Sequence, residues 1–202
     1  MVIDAEEQDA ITELFNIGMG QAAASLSELA GEEVQLSIPL LEVRSRGQLS
    51  PMITSLVGEP VCTIDESFSG PFSGEAMLIF AEPASLELAQ QLVPGDDDAE
   101  SQAETLSEVG NIVLNGCLAA FANLMGSAID SSLPRCHTGP VGHVVSMLGT
   151  KGEAGSHVLF VRIEFGLSRT ATNGYALFLL DIGALDVFRE AVRRFISGAG
   201  GS

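Results

Sequence analysis

The sequence has no tryptophan, one tyrosine and only nine lysine or arginine residues, against 27 aspartate and glutamate residues. With tryptophan absent and tyrosine present once, we do not expect an aromatic platform for stacking single-stranded bases. A net charge of −18 also argues against binding to nucleic acid or to an anionic membrane through a basic surface. Such an acidic surface promotes solubility, and it suits a partner that presents lysine, arginine or a metal ion.

Long hydrophobic runs are missing as well. No stretch of about 18 uninterrupted apolar residues is present, so we expect no transmembrane helix and no membrane insertion. Residues 1–7 lack the basic and apolar regions of a secretory signal. The cysteines, Cys62, Cys117 and Cys136, are odd in number and widely spaced, which fits reduced thiols in a cytoplasmic protein.

The usual sequence signs of catalytic chemistry are also absent. His137, His143 and His157 show no metal-ligand spacing, and there is neither a nucleophile elbow nor a phosphate-binding loop. We therefore expect no cofactor and no metal bound by this chain itself. Any chemistry would have to use carboxylate and amide side chains.

One polar pattern occurs twice, 95 residues apart. The first copy comprises Asp9, Glu13, Asn16 and Pro39, and the second comprises Glu104, Glu108, Asn111 and Pro134. The steps of four, three and 23 residues are the same in both copies. This constancy indicates an internal duplication that carries two equivalent polar sites.

The spacing of each copy places its polar side chains on one face of a helix, because steps of four and three residues return to the same side. In the second copy the stripe continues to Asn115, where the first has Gly20. The opposite faces are apolar, with Gly18 and Gly110 predicted to allow close approach of another backbone. Either stripe alone would fit a solvated surface. The recurrence of glutamate and asparagine at the same spacing favours a functional site.

The hydrophobic patterns predict an α+β fold in which two long helices pack on a largely antiparallel sheet. The predicted helices cover 5–30, 85–92, 100–126 and 183–197, and the predicted strands cover 34–40, 59–69, 74–82, 132–137, 141–149, 157–165 and 176–180. We expect one domain with pseudo-twofold symmetry, made of repeats at about 1–95 and 96–197, followed by a flexible tail at 198–202. About five extra residues of the second repeat are assigned to 149–155.

Glutamate and asparagine one turn apart could complete an active site that belongs to a partner. An amide both donates and accepts hydrogen bonds, so it can hold a water molecule in line with an electrophile. A carboxylate can pair with a lysine of the partner. Phosphoryl transfer suits such help, because it depends mainly on positioning and charge stabilisation.

These motifs resemble the CheC/CheX/FliY family of chemotaxis phosphatases, whose signature is Asp/Ser-x3-Glu-x2-Asn-x22-Pro. Residues 9–39 match it at every fixed position, and residues 104–134 depart only at Glu104. Two motifs in about 200 residues resemble the CheC branch, whereas the shorter CheX proteins carry one site and dimerise. The resemblance implies a protein that dephosphorylates the aspartyl-phosphate of the response regulator CheY, and we expect a monomer.

The resemblance also implies roles for the motif positions. Glu13 and Glu108 would engage a lysine of CheY, and Asn16 and Asn111 would orient the attacking water, while CheY holds the Mg²⁺. Possible further contacts are Asp9, Glu104 and Asn115, and Pro39 and Pro134 are expected to be structural. Many CheC proteins also bind the deamidase CheD, which makes CheD a second candidate partner.

Two other interpretations remain open at this point. Related flagellar switch proteins bind phosphorylated CheY without necessarily hydrolysing it, so the chain could be a non-catalytic binding module. The polar stripes could also serve self-assembly in a purely structural domain. Retention of the amide in both copies favours catalysis, because docking alone would not require it.

Overall fold

The computed structural model describes residues 4–95, 98–147, 157–166, 171–180 and 182–199. The helices are α1 Ala5–Ala30, α2 Leu49–Val57, α3 Glu82–Leu92, α4 Ala99–Met125, α5 Val141–Met147 and α6 Ile182–Ala199. The strands are β1 Gln35–Ser45, β2 Val61–Ser69, β3 Gly74–Ala81, β4 Asp130–Ser131, β5 Arg135–Gly139, β6 His157–Gly166 and β7 Ala171–Leu180. If β4 and β5 are taken as one interrupted strand, both halves run helix, strand, short helix, two strands, helix.

The strands form one antiparallel sheet in the order β1-β6-β7-β3-β2-β4, and β5 also pairs with β2. The third strands of the two halves, β3 and β7, pair at the centre. On each side, the outermost strand comes from the other half, because β1 pairs with β6 and β5 pairs with β2. The predicted α+β fold with an antiparallel sheet is confirmed, while the duplication itself and the single-domain assignment stay predictions.

The two long helices begin and end in the same way. Asp4 and Glu7 form a capping box, and Asp98 accepts hydrogen bonds from two backbone N–H groups in the first turn of α4. Both helices stop at a glycine in the left-handed region, Gly31 with φ 65° and Gly126 with φ 61°. The long helices therefore lie within one residue of their predicted bounds at both ends.

Helix α4 is apolar and long enough to cross a membrane by length and composition, but 56% of its most apolar window is buried inside the protein. Its face with Val109, Val113 and Cys117 is fully buried, and the helix contacts α1, β2 and β3. Phe121 of α4 meets Phe15 of α1 with ring centroids 5.1 Å apart. In this fold α4 is accordingly a core helix.

Several sequence predictions are corrected. Residues 141–147, predicted as a strand, form α5, and the remainder of 141–149 lies outside the described residues. This helix forms because the carbonyl of Pro140 accepts from His143 N–H and Val144 N–H, and because Val141 and Val144 are buried in the cluster beneath α2. Helix α2 itself is not predicted by the sequence patterns.

Of the strand predicted at 132–137, only 135–137 are found in a strand, β5, and the preceding β4 was not predicted. The other differences concern element ends. Strand β1 runs on to Ser45, and α6 continues to Ala199, so the first two residues of the predicted flexible tail are helical. Residues 200–202, and the segment 149–155 assigned to the extra residues, lie outside the described residues. Leu29, placed by its spacing on the core face of α1, is 37% exposed in the last turn of that helix.

Candidate active site

The first polar stripe lies on the exposed side of α1. Asp9, Glu13 and Asn16 are all exposed, while Ile11 and Phe15 between them are buried. The Asn16 Oδ1 accepts a hydrogen bond of 3.3 Å from the backbone N–H of Ile38 in β1. The amide at this first site is therefore held against the edge of the sheet.

Both prolines of the repeated motif fall where strand pairing is interrupted. Pro39 lies at a shift of register in the β1–β6 pair, between Ser37 and Leu40. Pro134 lies between β4 and β5, which each pair with β2. Proline lacks the N–H that a sheet requires, so it is found at such edges and irregularities. Each interruption comes beside the polar stripe of the same repeat.

The second polar stripe forms one wall of an open pocket of about 520 Å³ between α4 and the β4–β5 connection. Glu104 and Glu108 are exposed, and Asn111 is half-buried. The full lining comprises Glu100, Ala103, Glu104, Ser107, Glu108, Asn111, Leu133, Pro134 and Cys136. The four motif positions of the second copy, which span 31 residues of sequence, thus meet in one pocket.

The amide of Asn111 belongs to a chain of hydrogen bonds. Its Oδ1 accepts from Asn115 Nδ2 at 2.8 Å, and Asn115 Oδ1 accepts from Ser131 Oγ at 2.9 Å. The stripe predicts Asn115 but not Ser131, since nothing in the local sequence of β4 pairs it with α4. In the first copy position 20 is glycine, so no equivalent side chain stands beside Asn16.

A second residue that sequence reasoning missed is Leu133. Its side chain is 87% exposed at the rim of the pocket, although its counterpart at the 95-residue offset, Ile38, is only 5% exposed. At this exposure the Leu133 side chain is available for contact with a protein partner at the rim of the second pocket. The two sites therefore differ in their apolar surroundings although their polar residues match.

A thiol pair lies at the back of the second pocket. The Sγ atoms of Cys62 and Cys136 are 3.7 Å apart, and Cys136 lines the pocket. Their contact lowers the pKa of Cys62 and, together with burial, raises the pKa of Cys136. Cys117 is buried in the core, and burial raises the pKa of its thiol.

Behind α4, the core contains an unusual carboxyl group. Glu66 of β2 is fully buried, and neither of its carboxyl oxygens has a hydrogen-bond partner within the described part of the chain. Burial raises its pKa to about 7. Glu66 lies two residues from Ile64 in β2, and a Cβ atom at Gly110 of α4 would meet the Ile64 side chain, so Glu66 faces the side of the sheet that α4 covers. No pattern in the sequence singles out Glu66.

The two candidate sites lie at opposite edges of the sheet. The first adjoins β1, which is the last strand on one side, and the second adjoins β4 and β5 on the other side. Each offers an exposed glutamate with an asparagine one turn away. Among the described residues, no three or more histidine, cysteine, aspartate or glutamate side chains are grouped to hold a metal ion. What the sites offer are hydrogen-bonding amides and carboxylates facing outward.

Known structures share this fold. FliY from Thermotoga maritima superposes with a TM-score of 0.75 at 18% identity, covering 96% of this chain and 99% of that one. The FliM middle domain from Vibrio alginolyticus superposes with a TM-score of 0.65 at 14% identity, covering 92% of this chain and 99% of that one. CheX in the CheX–CheY–BeF₃–Mg²⁺ complex from Borrelia burgdorferi superposes with a TM-score of 0.50 at 16% identity, covering 81% of this chain and 96% of that one. The chain therefore has the fold of chemotaxis and flagellar switch domains.

Curated relatives narrow the assignment. The flagellar motor switch phosphatase FliY of Bacillus subtilis is 29% identical over 125 residues, which are 62% of this chain but only 31% of that protein. The CheY-P phosphatase CheC of the same organism is 25% identical over 167 residues, covering 79% of each. No protein-family model matches the chain. These relatives and the shared fold support the CheC/CheX/FliY family that the two motifs predicted.

Proposed function

We propose that this protein hydrolyses the aspartyl-phosphate of the response regulator CheY. The observation that carries the proposal is the duplicated arrangement itself. In both copies an exposed glutamate and an asparagine one turn further on stand beside an interrupted edge strand, Glu13 with Asn16 and Glu108 with Asn111. A relative named as a CheY-P phosphatase covers 79% of the chain, which supports the same substrate.

The exposure of the site residues agrees with chemistry completed on a partner. Glu13 and Glu108 are exposed and able to form charge-assisted hydrogen bonds with a lysine of the regulator. Asn16 and Asn111 would then enter the regulator's active site, where their amides orient a water molecule. That water attacks phosphorus, the bond from phosphorus to the aspartyl oxygen breaks, and inorganic phosphate and the free carboxylate are released.

The remaining predicted residues take supporting positions in this proposal. Asp9 and Glu104 begin the two stripes and would flank the contact with the regulator. The Mg²⁺ needed for phosphoryl chemistry would be held by CheY. A solved complex contains CheX, a domain of this fold, together with CheY, BeF₃ and Mg²⁺, which supports such a regulator as the partner. CheD stays a second candidate partner.

The alternative is a non-catalytic module that binds phosphorylated CheY in a flagellar switch. The fold is shared with the FliM middle domain, which favours this possibility to some extent. Hydrolysis is the stronger proposal, because the amide and the carboxylate are both retained at both edges and both amides are held by hydrogen bonds. A docking surface alone has no need of oriented amides.

The test is the decay of phosphorylated CheY with and without the protein. We expect faster decay with the unaltered protein and a return to the regulator's own rate with Asn16→Ala plus Asn111→Ala. Asn123→Ala is a matched control, since Asn123 is an exposed amide on α4 about two turns beyond Asn115. A fully active double variant would exclude the water-positioning role. Binding without acceleration by the unaltered protein would establish the switch-type module instead.

A further inference from the structure

The second site contains a hydrogen-bond chain that the first site lacks. Ser131 Oγ donates to Asn115 Oδ1, and Asn115 Nδ2 donates to Asn111 Oδ1, over distances of 2.9 and 2.8 Å. At the matching positions of the first copy stand Gly20 and Leu36, neither of which carries a polar side chain. The two sites therefore differ in sequence at these positions as well as in geometry.

The series of hydrogen bonds ends on a residue whose strand is paired with the sheet. Ser131 lies in β4 opposite Phe68 of β2. The next residue, Ser132, donates from its backbone N–H to the Ser67 carbonyl at 2.9 Å and accepts from Ser67 N–H on its Oγ at 3.1 Å. The backbone of this segment is thereby attached to the sheet, and the Ser131 hydroxyl connects it through Asn115 to Asn111.

These two hydrogen bonds also restrict how the Asn111 amide can turn. Rotation of that amide alone by 180° would bring its NH₂ group against the NH₂ group of Asn115, two donors without an acceptor between them. The two amides can therefore turn only together. With Oδ1 of Asn111 accepting from Asn115, its Nδ2 is the end of the amide that remains available as a donor.

A fixed amide matters because orientation of the reacting groups supplies much of the rate in phosphoryl transfer. Active-site groups that are held by a second layer of hydrogen bonds on helices and strands keep their geometry better than groups on a mobile side chain. From this we infer that Asn115 and Ser131 are positioning residues for Asn111, which makes the second site preorganised for hydrolysis. The inference rests on the proposed function.

The experiment silences the first site with Asn16→Ala and measures hydrolysis of phosphorylated CheY by the second. In this background we expect Asn115→Ala to lower kcat about tenfold, with KM changed less than twofold, because contact residues such as Glu108 are untouched. Ser131→Ala should lower kcat by a smaller factor, since the Asn115–Asn111 bond remains. Ser131→Thr, which retains the hydroxyl, should restore kcat.

Controls separate positioning from folding. Asn123→Ala in the same background changes an exposed amide of α4 outside the site, and its kcat should equal that of the Asn16→Ala parent. Thermal unfolding of every variant checks that the fold is kept. Alanine is a better helix former than asparagine, so Asn115→Ala is expected to fold.

Three results would overturn the inference. A parental kcat in Asn115→Ala, with activity abolished by Asn111→Ala, would leave the proposed function standing and remove the positioning role. A change confined to KM would make Asn115 a contact residue. An inactive Asn16→Ala parent beside an active unaltered protein would show that the second site does not hydrolyse the aspartyl-phosphate despite its hydrogen bonds. Inactivity of the unaltered protein would instead refute the proposed function itself.

Discussion

Gly18 of α1 lies so close to Gly116 of α4 that a Cβ atom at position 18 would be 2.3 Å from the Gly116 carbonyl oxygen. The obstacle is backbone, which cannot rotate away as a side chain would. The two long helices that carry the candidate sites are thus in direct main-chain contact, as predicted for Gly18. The same prediction is wrong for Gly110, where a Cβ atom would meet the side chain of Ile64 of β2 rather than another backbone.

Gly18→Ala should therefore destabilise the protein. Alanine gains about 1 kcal/mol of helix propensity over glycine, but forcing the helices apart typically costs about 1–3 kcal/mol or more. We expect a net loss in the free energy of unfolding, measured by urea denaturation. Gly20→Ala is the matched control, because nothing lies within 4 Å of a Cβ at position 20, and it should stabilise by up to about 1 kcal/mol. Equal effects of the two substitutions would contradict the close contact.

Leu133 and Ile38 occupy matching positions but should respond oppositely to truncation. Leu133 is 87% exposed, so Leu133→Ala should change the free energy of unfolding by less than about 0.5 kcal/mol. It should raise the KM for phosphorylated CheY severalfold, because an exposed apolar anchor beside the second pocket is lost. The KM is measured in the Asn16→Ala background, where only the second site acts.

Ile38→Ala is the counterpart of that experiment. Ile38 is 5% exposed, and removing its buried methyl groups should cost about 3 kcal/mol of unfolding free energy. Its backbone N–H still reaches Asn16, so the variant protein, kept below its unfolding temperature, should retain the KM of the first site. An unchanged KM in Leu133→Ala would show that Leu133 does not contact the regulator.

Glu66 should make the protein less stable as the pH rises. Its pKa is about 7 in the folded protein against 4.5 as the ordinary value, so folding binds a proton between those values. The stabilising contribution of this proton is complete below pH 4.5 and is lost as the pH rises through 7, at up to about 1.4 kcal/mol per pH unit. Glu66→Gln, which cannot ionise, should remove that slope. Parallel stability curves for the two proteins between pH 5 and 8 would contradict the prediction.

Glu7 should have the opposite dependence on pH. Burial alone would raise its pKa, but hydrogen bonds from Arg189 and Arg193 and from the Asp4 backbone hold the pKa below its ordinary value. Its contribution to stability is present above pH 4.5 and is lost as the pH falls through the folded pKa. Glu7→Gln should cost roughly 3 kcal/mol at neutral pH, because two guanidinium groups lose their carboxylate.

The control for Glu7 is its neighbour. Glu6 is exposed in the same first turn of α1, and Glu6→Gln should cost less than about 0.5 kcal/mol. Unfolding in urea at pH 7 and pH 4 compares the three proteins. If Glu7→Gln were no more harmful than Glu6→Gln, the attachment of α6 to α1 through Glu7 would have to be abandoned.

The long helices could be predicted because local signals agree there. Apolar spacing, acidic N-caps at Asp4 and Asp98 and glycines at Gly31 and Gly126 all favour the same boundaries. Helix α5 could not, because the valines of 141–147 have low helix propensity and favour a strand in isolation. Burial of Val141 and Val144 beneath α2 overrides that preference.

The polar residues of the site were predictable for a different reason. Spacing along one helix fixes which side chains share a face, so the helical period alone groups Glu13 with Asn16 and Glu108 with Asn111. The partners that hold the amides come from distant segments. Ile38 N–H and the Ser131 hydroxyl reach them only through the pairing of β1 and β4 with the sheet, and no helical or strand period encodes such a contact.

The placement of the candidate sites at opposite edges of the sheet has a consequence for assembly. Five strand intervals at about 4.8 Å separate these edges, a distance of roughly 24 Å, comparable with the size of a small regulator domain. Two regulator molecules docked there would approach from opposite flanks, so the protein would be bivalent. Where regulators are crowded, a regulator that leaves one site does not free the protein, because the other site is still bound to its own regulator. Binding of the next regulator at the empty site is then effectively intramolecular. Retention among clustered regulators would then exceed the affinity of either edge alone.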